Sequence, residues 1–278
     1  MQSKLAEKLK LKHNPVAILW SDDKPDGARQ FTGGRWGCVM SLFAQAARGK
    51  TAVFDRDTCG CFGGGTGLGF GNVYEQRWPG GIECFHHFLS IGNIRREGGE
   101  ESLEEVRPYV RDQTYDNLAE GERYVKSPEL VKKYLENLPM IDVPAKYVVF
   151  RPLPEVDEKT EEPVVVVFPV NPDQLSALTV MAHYERDDMN AVYAPFCAGC
   201  QSVGILAYHE SKAEKPRAVI GLTDISARVF TAKTLGKDIL TFAVPLKMFH
   251  EMESNVEGSF LDRHSWQKLQ RINEPEDD

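Results

Sequence analysis

Apolar runs of strand length, bounded by glycine, proline or polar residues, alternate with longer amphipathic stretches along this chain. In its first part, residues 15–20 and 51–54 are short apolar runs that predict buried strands. Residues 39–48, between them, have the spacing of an amphipathic helix, and Gly49 provides an end signal for it. The pattern therefore predicts a strand–helix–strand unit.

The later part of the chain repeats this order. Residues 163–168 and 217–220 predict strands, and residues 201–210 between them predict a helix. In each part a cysteine, Cys38 or Cys200, opens the predicted helix. A glycine-rich or polar turn then follows the second strand, so the order of elements occurs twice.

This repeated order predicts a mixed α/β (α+β) fold of two similar halves, about 13–150 and 161–278, packed as one pseudo-symmetric unit. The repeat could come from internal duplication, or from chance, because strand–helix alternation is common in mixed folds. Residues 152–163 are rich in proline and acidic residues but short, so we interpret them as an internal connection and predict a single domain, 1–278. Further helices are predicted at residues 101–120, 128–138 and 246–272.

The charge of the chain narrows the possible partners. It carries 33 Lys and Arg against 41 Asp and Glu, a net charge of −8, and its basic residues form no block. Nucleic-acid binding needs a basic face, so we expect no nucleic-acid partner. No apolar run approaches the length of a membrane span or a signal-peptide core, so we expect no membrane partner and a cytoplasmic location.

Cysteine placement is the strongest chemical signal in the sequence. Four of the six cysteines form two tight pairs, Cys59 with Cys61 and Cys197 with Cys200. In a reducing compartment, close thiols indicate a metal, a cluster or redox chemistry rather than disulfides. Glycines follow Cys61, and backbone N–H groups in such a segment or at a helix start lower thiol pKa values and donate hydrogen bonds to sulfur.

These features predict an iron–sulfur cluster, most often [4Fe–4S], held by cysteines from separated loops and helix starts. Its role would be redox chemistry or small-molecule binding, with an electron-transfer protein or a small molecule as partner. The sequence assigns no catalytic residue and no oligomeric state. The candidate metal ligands are Cys38, Cys59, Cys61, Cys200 and Cys84, and the candidate cofactor contacts are Gly63, Gly64 and Arg228.

Two other interpretations remain open. One is a protein that binds or delivers zinc or iron, and another is a thiol–disulfide oxidoreductase that uses Cys197 and Cys200. A nucleotide loop at residues 63–71 is disfavoured, because residues 72–81 read as further loop where a helix should follow. Residues 80–88, which contain Cys84, read as strand-like.

Several separated segments resemble one known family. They are Cys38 and residues 59–70, 121–128, 166–175 and 221–228, and they are similar to the prokaryotic family catalogued as domain of unknown function 169. The resemblance spans nearly the whole chain and implies one fold with a cysteine site, but no activity. It implies that Cys38 and Cys61 are family cysteines. Relatives carry a further cysteine near residues 223–228, and this implies that Cys59, Cys84 or Cys200 compensates here.

Overall fold

In the computed structural model, which describes residues 1–272 apart from the side chain of Gln113, seven strands form one sheet. The order across the sheet is β2-β3-β1-β4-β7-β6-β5, and every neighbouring pair is antiparallel except the short parallel pair β5–β6. The strands are β1 (Val16–Ser21), β2 (Ala52–Phe54), β3 (Tyr147–Pro152), β4 (Val165–Val170), β5 (Val192–Tyr193), β6 (Ala218–Gly221) and β7 (Leu240–Pro245).

Helices cover both faces of this sheet. None of the helices in the described part of the chain is both long and apolar enough to cross a bilayer. The helices are α1 (Lys4–Lys8), α2 (Val39–Ala46), α3 (Phe62–Leu68), α4 (Val73–Arg77), α5 (Gly81–Leu89), α6 (Gly99–Val106), α7 (Asp112–Glu120), α8 (Pro128–Glu136), α9 (Pro172–Ala182), α10 (Gly199–Val203), α11 (Ile205–Glu210), α12 (Ile225–Leu235), α13 (Leu246–Ser254) and α14 (His264–Arg271).

The central strands are apolar throughout because both faces of the sheet are covered. Val16 and Ile18 pack with α2, α10 and α12 on one face, while Ala17 and Leu19 pack with α9 and α13 on the other. Successive side chains of a strand point to opposite faces, so each face needs its own apolar residue. The central strands therefore appear in the sequence as continuous apolar runs. The predicted mixed α/β fold is confirmed.

The β1–β4 pair lies at the centre of the sheet, with strands of one half of the chain on each side. On one side of this pair lie β3 and then β2, and on the other lie β7 and then β6. In the first half the chain runs from β1 through α2 to β2, and then through α3 and further helices to β3. In the second half it runs from β4 through α9, β5, α10 and α11 to β6, and then through α12 to β7. The pseudo-symmetric repeat and its origin by duplication stay predictions, and residues 273–278 of the predicted second half lie outside the described part.

The first half carries a large helical insertion that the second half lacks, and the second half carries α9 and β5 between β4 and α10. Between α3 and β3 the first half carries the helices α4 to α8, whereas in the second half α12 leads directly to β7. The insertion packs around its own apolar clusters, one built on Cys84 and Leu103 and another on Tyr74 and Phe85. It covers one side of the place where helices of the two halves meet.

Several local predictions were wrong because tertiary contacts override local propensity. The glycine-rich segment after Cys61 is the helix α3, and the predicted loop at 72–81 contains α4. The strand-like segment at 80–88 is the helix α5. The polar turn at 223–228 holds the first residues of α12, which starts after its N-cap Asp224.

The two halves touch most closely where α3 packs on α10. A Cβ at Gly204 would lie 2.0 Å from the carbonyl oxygen of Gly67, and a Cβ at Gly67 would lie 2.6 Å from the Cys200 sulfur. Glycine at both positions therefore lets the backbones approach each other. No larger residue fits without moving one helix away from the other.

Gly204→Ala is expected to destabilise the fold by about 1–3 kcal/mol, because the added methyl overlaps backbone rather than a movable side chain. Urea unfolding measures the effect as a lower midpoint. The matched control is Gly33→Ala, whose Cβ would meet only the Thr58 methyl at 3.8 Å. Equal midpoints for the two variants would contradict the packing described here.

Candidate functional site

Four helix starts meet on one face of the sheet, two from each half. α2 begins after its N-cap Cys38 and α3 after its N-cap Cys61, while α10 carries Cys200 in its first turn and α12 follows its N-cap Asp224. Helix α12 packs on α2, and α10 packs on α3. Free backbone N–H groups point out of each helix start, so the meeting point is rich in hydrogen-bond donors.

A cavity of about 410 Å³ opens at this meeting point, and four of its lining residues are cysteines. They are Cys38, Cys61, Cys197 and Cys200. The structure thus brings together three of the predicted ligands, and adds Cys197. Nothing in the spacing of the sequence separated Cys197 from Cys59 as a candidate, since each is one member of a tight pair.

Backbone and sulfur contacts fix two of these thiols in place. The Gly64 N–H donates to the Cys61 sulfur at 3.0 Å, as expected of an N-cap side chain. The Cys200 thiol donates to the Gly63 carbonyl at 3.6 Å, from the second half to the first. The site therefore spans both halves through sulfur contacts with α3.

Burial dominates the electrostatics of the thiols. Burial raises the pKa of Cys38 to about 11, although the N–H groups of Met40 and Ser41 oppose the shift. The pKa values of Cys61 and Cys200 are raised further, first by burial and then by the neighbouring thiols. The expectation that helix starts would lower these pKa values was wrong, because desolvation outweighs the N–H contacts.

Two predicted ligands lie away from the cavity. The Cys59 thiol faces the Cys61 carbonyl oxygen at 3.7 Å and does not line the cavity. Cys84 lies on α5, where it packs with Leu103 and Leu118 inside the helical insertion. Cys84 therefore lies apart from the four cavity sulfurs, whereas Cys59 lies beside α3, near enough to Cys61 to contribute to the raised pKa of that thiol.

The predicted cofactor contacts have different surroundings. Gly63 lines the cavity, and a Cβ there would lie 2.8 Å from the Tyr74 hydroxyl oxygen. Gly64 lets α3 approach α2, because a Cβ there would lie 2.5 Å from a Val39 methyl. Arg228 donates instead to backbone carbonyls of Leu222 and Ile239, at 3.2 Å each, and does not line the cavity.

Within the described residues, no three His, Cys, Asp or Glu side chains are grouped tightly enough to hold a single metal ion. The four cysteines instead surround a space. Among the described lining residues there is also no Lys, Arg or His. Thiolates formed here would find no positive side chain in the lining to balance their charge.

A hydrogen-bonded network joins the helical insertion to α10. The Gln201 amide donates to the Tyr74 hydroxyl at 3.1 Å, and its carbonyl oxygen accepts from the Ala198 N–H at 2.9 Å and from the Tyr134 hydroxyl. Gln201 is fully buried, so these contacts satisfy an amide that would otherwise cost free energy. The network holds the insertion in place over the four helix starts.

Glu122 is a site residue that sequence reasoning missed. Both of its carboxylate oxygens accept from the Ser226 hydroxyl, at 3.1 and 3.2 Å. Burial raises its pKa to about 7, and the nearby charge of Asp224 adds to the shift. Its position within the 121–128 segment, which carried the family resemblance, was the signal that could have found it.

Glu122→Gln is expected to stabilise the protein above pH 7 by about 2–3 kcal/mol and to have little effect near pH 4.5. A carboxyl group whose pKa is raised by folding costs stability that grows from its unfolded value, near 4.5, up to its folded value, near 7, and then stays constant. Thermal unfolding across this range measures the difference. Glu185→Gln, an exposed site on the other side of the sheet, is the control, and a pH-independent effect of Glu122→Gln would contradict the assignment.

The comparisons with known proteins identify a family and no activity. No curated protein and no solved structure matches the chain. The model of the family DUF169, described as "Uncharacterised ArCR, COG2043", matches residues 4–255. Since that range covers most of the 278 residues, the chain belongs to the DUF169 family.

Proposed function

We propose that this protein binds a [4Fe–4S] cluster through Cys38, Cys61, Cys197 and Cys200 and uses it for electron transfer to a small molecule in the adjoining cavity. The observation that carries the proposal is the presence of four thiols, two from each half, around one cavity. Clusters of this type take four cysteine thiolates.

The surroundings of the sulfurs support a cluster. Iron–sulfur centres are tuned by hydrogen bonds to sulfur and by burial, and here the Gly64 N–H donates to the Cys61 sulfur inside a largely apolar core. Thiolates in this lining lack a positive side chain, so iron would supply the balancing charge.

The arrangement favours a cluster over a single zinc ion. Zinc needs its ligands grouped around one point, whereas each thiolate of a four-iron cluster binds a different iron. Sulfurs spaced around a cavity fit the second requirement better. A metal-delivery role is less well supported, because Cys197 and Cys200 are buried and delivery calls for accessible ligands.

A dithiol oxidoreductase is also less well supported. Catalytic thiols of that class have lowered pKa values. Burial instead raises the pKa of Cys197 to about 12 and that of Cys200 well above its usual value. Electrons would therefore pass through the cluster, with an electron-transfer protein of the reducing cytoplasm as the donor.

Replacement of Cys61 or Cys200 by serine is expected to remove most of the iron and sulfide from anaerobically purified protein, because each sulfur holds one corner of the cluster. The wild-type protein should be brown and contain iron and sulfide in near-equal amounts. Cys84→Ser is the control, since that thiol lies in the insertion. A colourless wild-type protein, with zinc or with no metal, would overturn the proposal.

A second pair of variants tests the fourth ligand. Cys197→Ser is expected to lose cluster content or to convert it to a three-iron form seen by electron paramagnetic resonance, because Cys197 lines the cavity. Cys59→Ser is expected to keep the wild-type spectrum, because that thiol faces a backbone carbonyl instead. The opposite result would assign the fourth iron to Cys59.

A further inference from the structure

The cavity extends well beyond the four sulfurs, into a wall of aromatic side chains supplied mostly by the helical insertion. Trp78 is its centre, with ring centroids at 4.7 Å from Phe85, 5.8 Å from Phe88 and 5.6 Å from Phe62. A volume of about 410 Å³ falls within the usual range of small-molecule sites. We call this group of four rings the aromatic wall.

One cluster of polar side chains breaks this apolar lining. Glu122 accepts from the Ser226 hydroxyl, whose oxygen lies 3.3 Å from the Tyr124 hydroxyl. All three residues line the cavity, as does Asp224. The Asp224 carboxylate accepts from the Ala227 N–H at 3.1 Å and also lies beside the backbone of Gly199.

The charge of the lining selects against anions. It contains two carboxylates, those of Glu122 and Asp224, and among the described lining residues no Lys, Arg or His. The two carboxylates would repel a phosphate or carboxylate ligand placed beside them in a desolvated space, whereas a cationic amine would find an acceptor there. A few placed polar groups in an apolar pocket fix the orientation of a ligand.

We infer that the cavity binds a small aromatic amine, with its ring against the aromatic wall and its ammonium group donating to Glu122. This inference rests on the proposed function, because it names the class of molecule that would sit beside the cluster. The ring would fill the apolar volume, while the ammonium group would pair with a carboxylate that otherwise stands without a cation in the lining.

Isothermal titration calorimetry on the anaerobically purified full chain at pH 8 tests the inference with three probes of matched shape. Tryptamine carries an ammonium group, tryptophol a hydroxyl group and 3-indolepropionate a carboxylate. Tryptamine is expected to bind at least about tenfold more tightly than 3-indolepropionate, because a charge-assisted hydrogen bond forms only with the amine. Tryptophol should fall between them.

Glu122→Gln is expected to abolish the advantage of tryptamine over tryptophol, and the control Glu185→Gln to leave it unchanged. Equal or tighter binding of 3-indolepropionate, no binding by any probe, or an amine preference that survives Glu122→Gln would overturn the inference. Iron and sulfide are measured in the same samples. If the protein contains no iron but still prefers tryptamine, the cluster proposal is overturned and the amine-binding inference stands. If the protein contains the cluster but shows no preference for tryptamine, the inference is overturned and the cluster proposal stands.

Discussion

Close packing of α3 against α10 is the constraint on which the rest of the structure depends. Glycine at positions 67 and 204 lets a helix of the first half touch a helix of the second through backbone atoms. The β1–β4 pair joins the halves within the sheet, but only the helix contact brings Cys61 and Cys200 to one cavity. A wider separation would leave each half with a pair of isolated buried thiols. Steric fit, rather than any one polar interaction, therefore sets the geometry of the site.

The two halves and the insertion contribute different things. Each half contributes two helix starts and two cysteines, and the N-cap is Cys61 in α3 but Asp224 in α12. The helices α4 to α8 occur in the first half only, and they close one side of the meeting point with aromatic rings and Glu122. This insertion closes the junction between the halves on one side and leaves a pocket there. Gln201 on α10 links the second half to the insertion, because its side chain forms hydrogen bonds with the hydroxyl groups of Tyr74 and Tyr134.

The sequence predicts the elements whose signals are local. The strand at 165–170 and the helix at 39–46 follow from apolar runs and periodicity. Helix α3 does not, because four of its seven residues are glycine and only its neighbours stabilise it. The paired cysteines indicated a site, yet only Cys61 of the first pair lines the cavity while both Cys197 and Cys200 do, and this depends on packing that spacing does not encode. Glu122 reads as a solvated surface residue until Ser226, about a hundred positions away, is placed beside it.

The glycine content of α3 also bears on the motions of the protein. Relative to alanine, four glycines weaken a helix by about 3–4 kcal/mol, and a helix of this length has little stability in isolation. Helix α3 is therefore kept folded mainly by its packing against α10, α2 and the insertion. Segments of this kind open at a small fraction of the global unfolding free energy. Whatever occupies the cavity thus also orders α3, so occupancy and local folding are thermodynamically linked, and the empty protein should exchange its α3 amide protons well before those of the sheet.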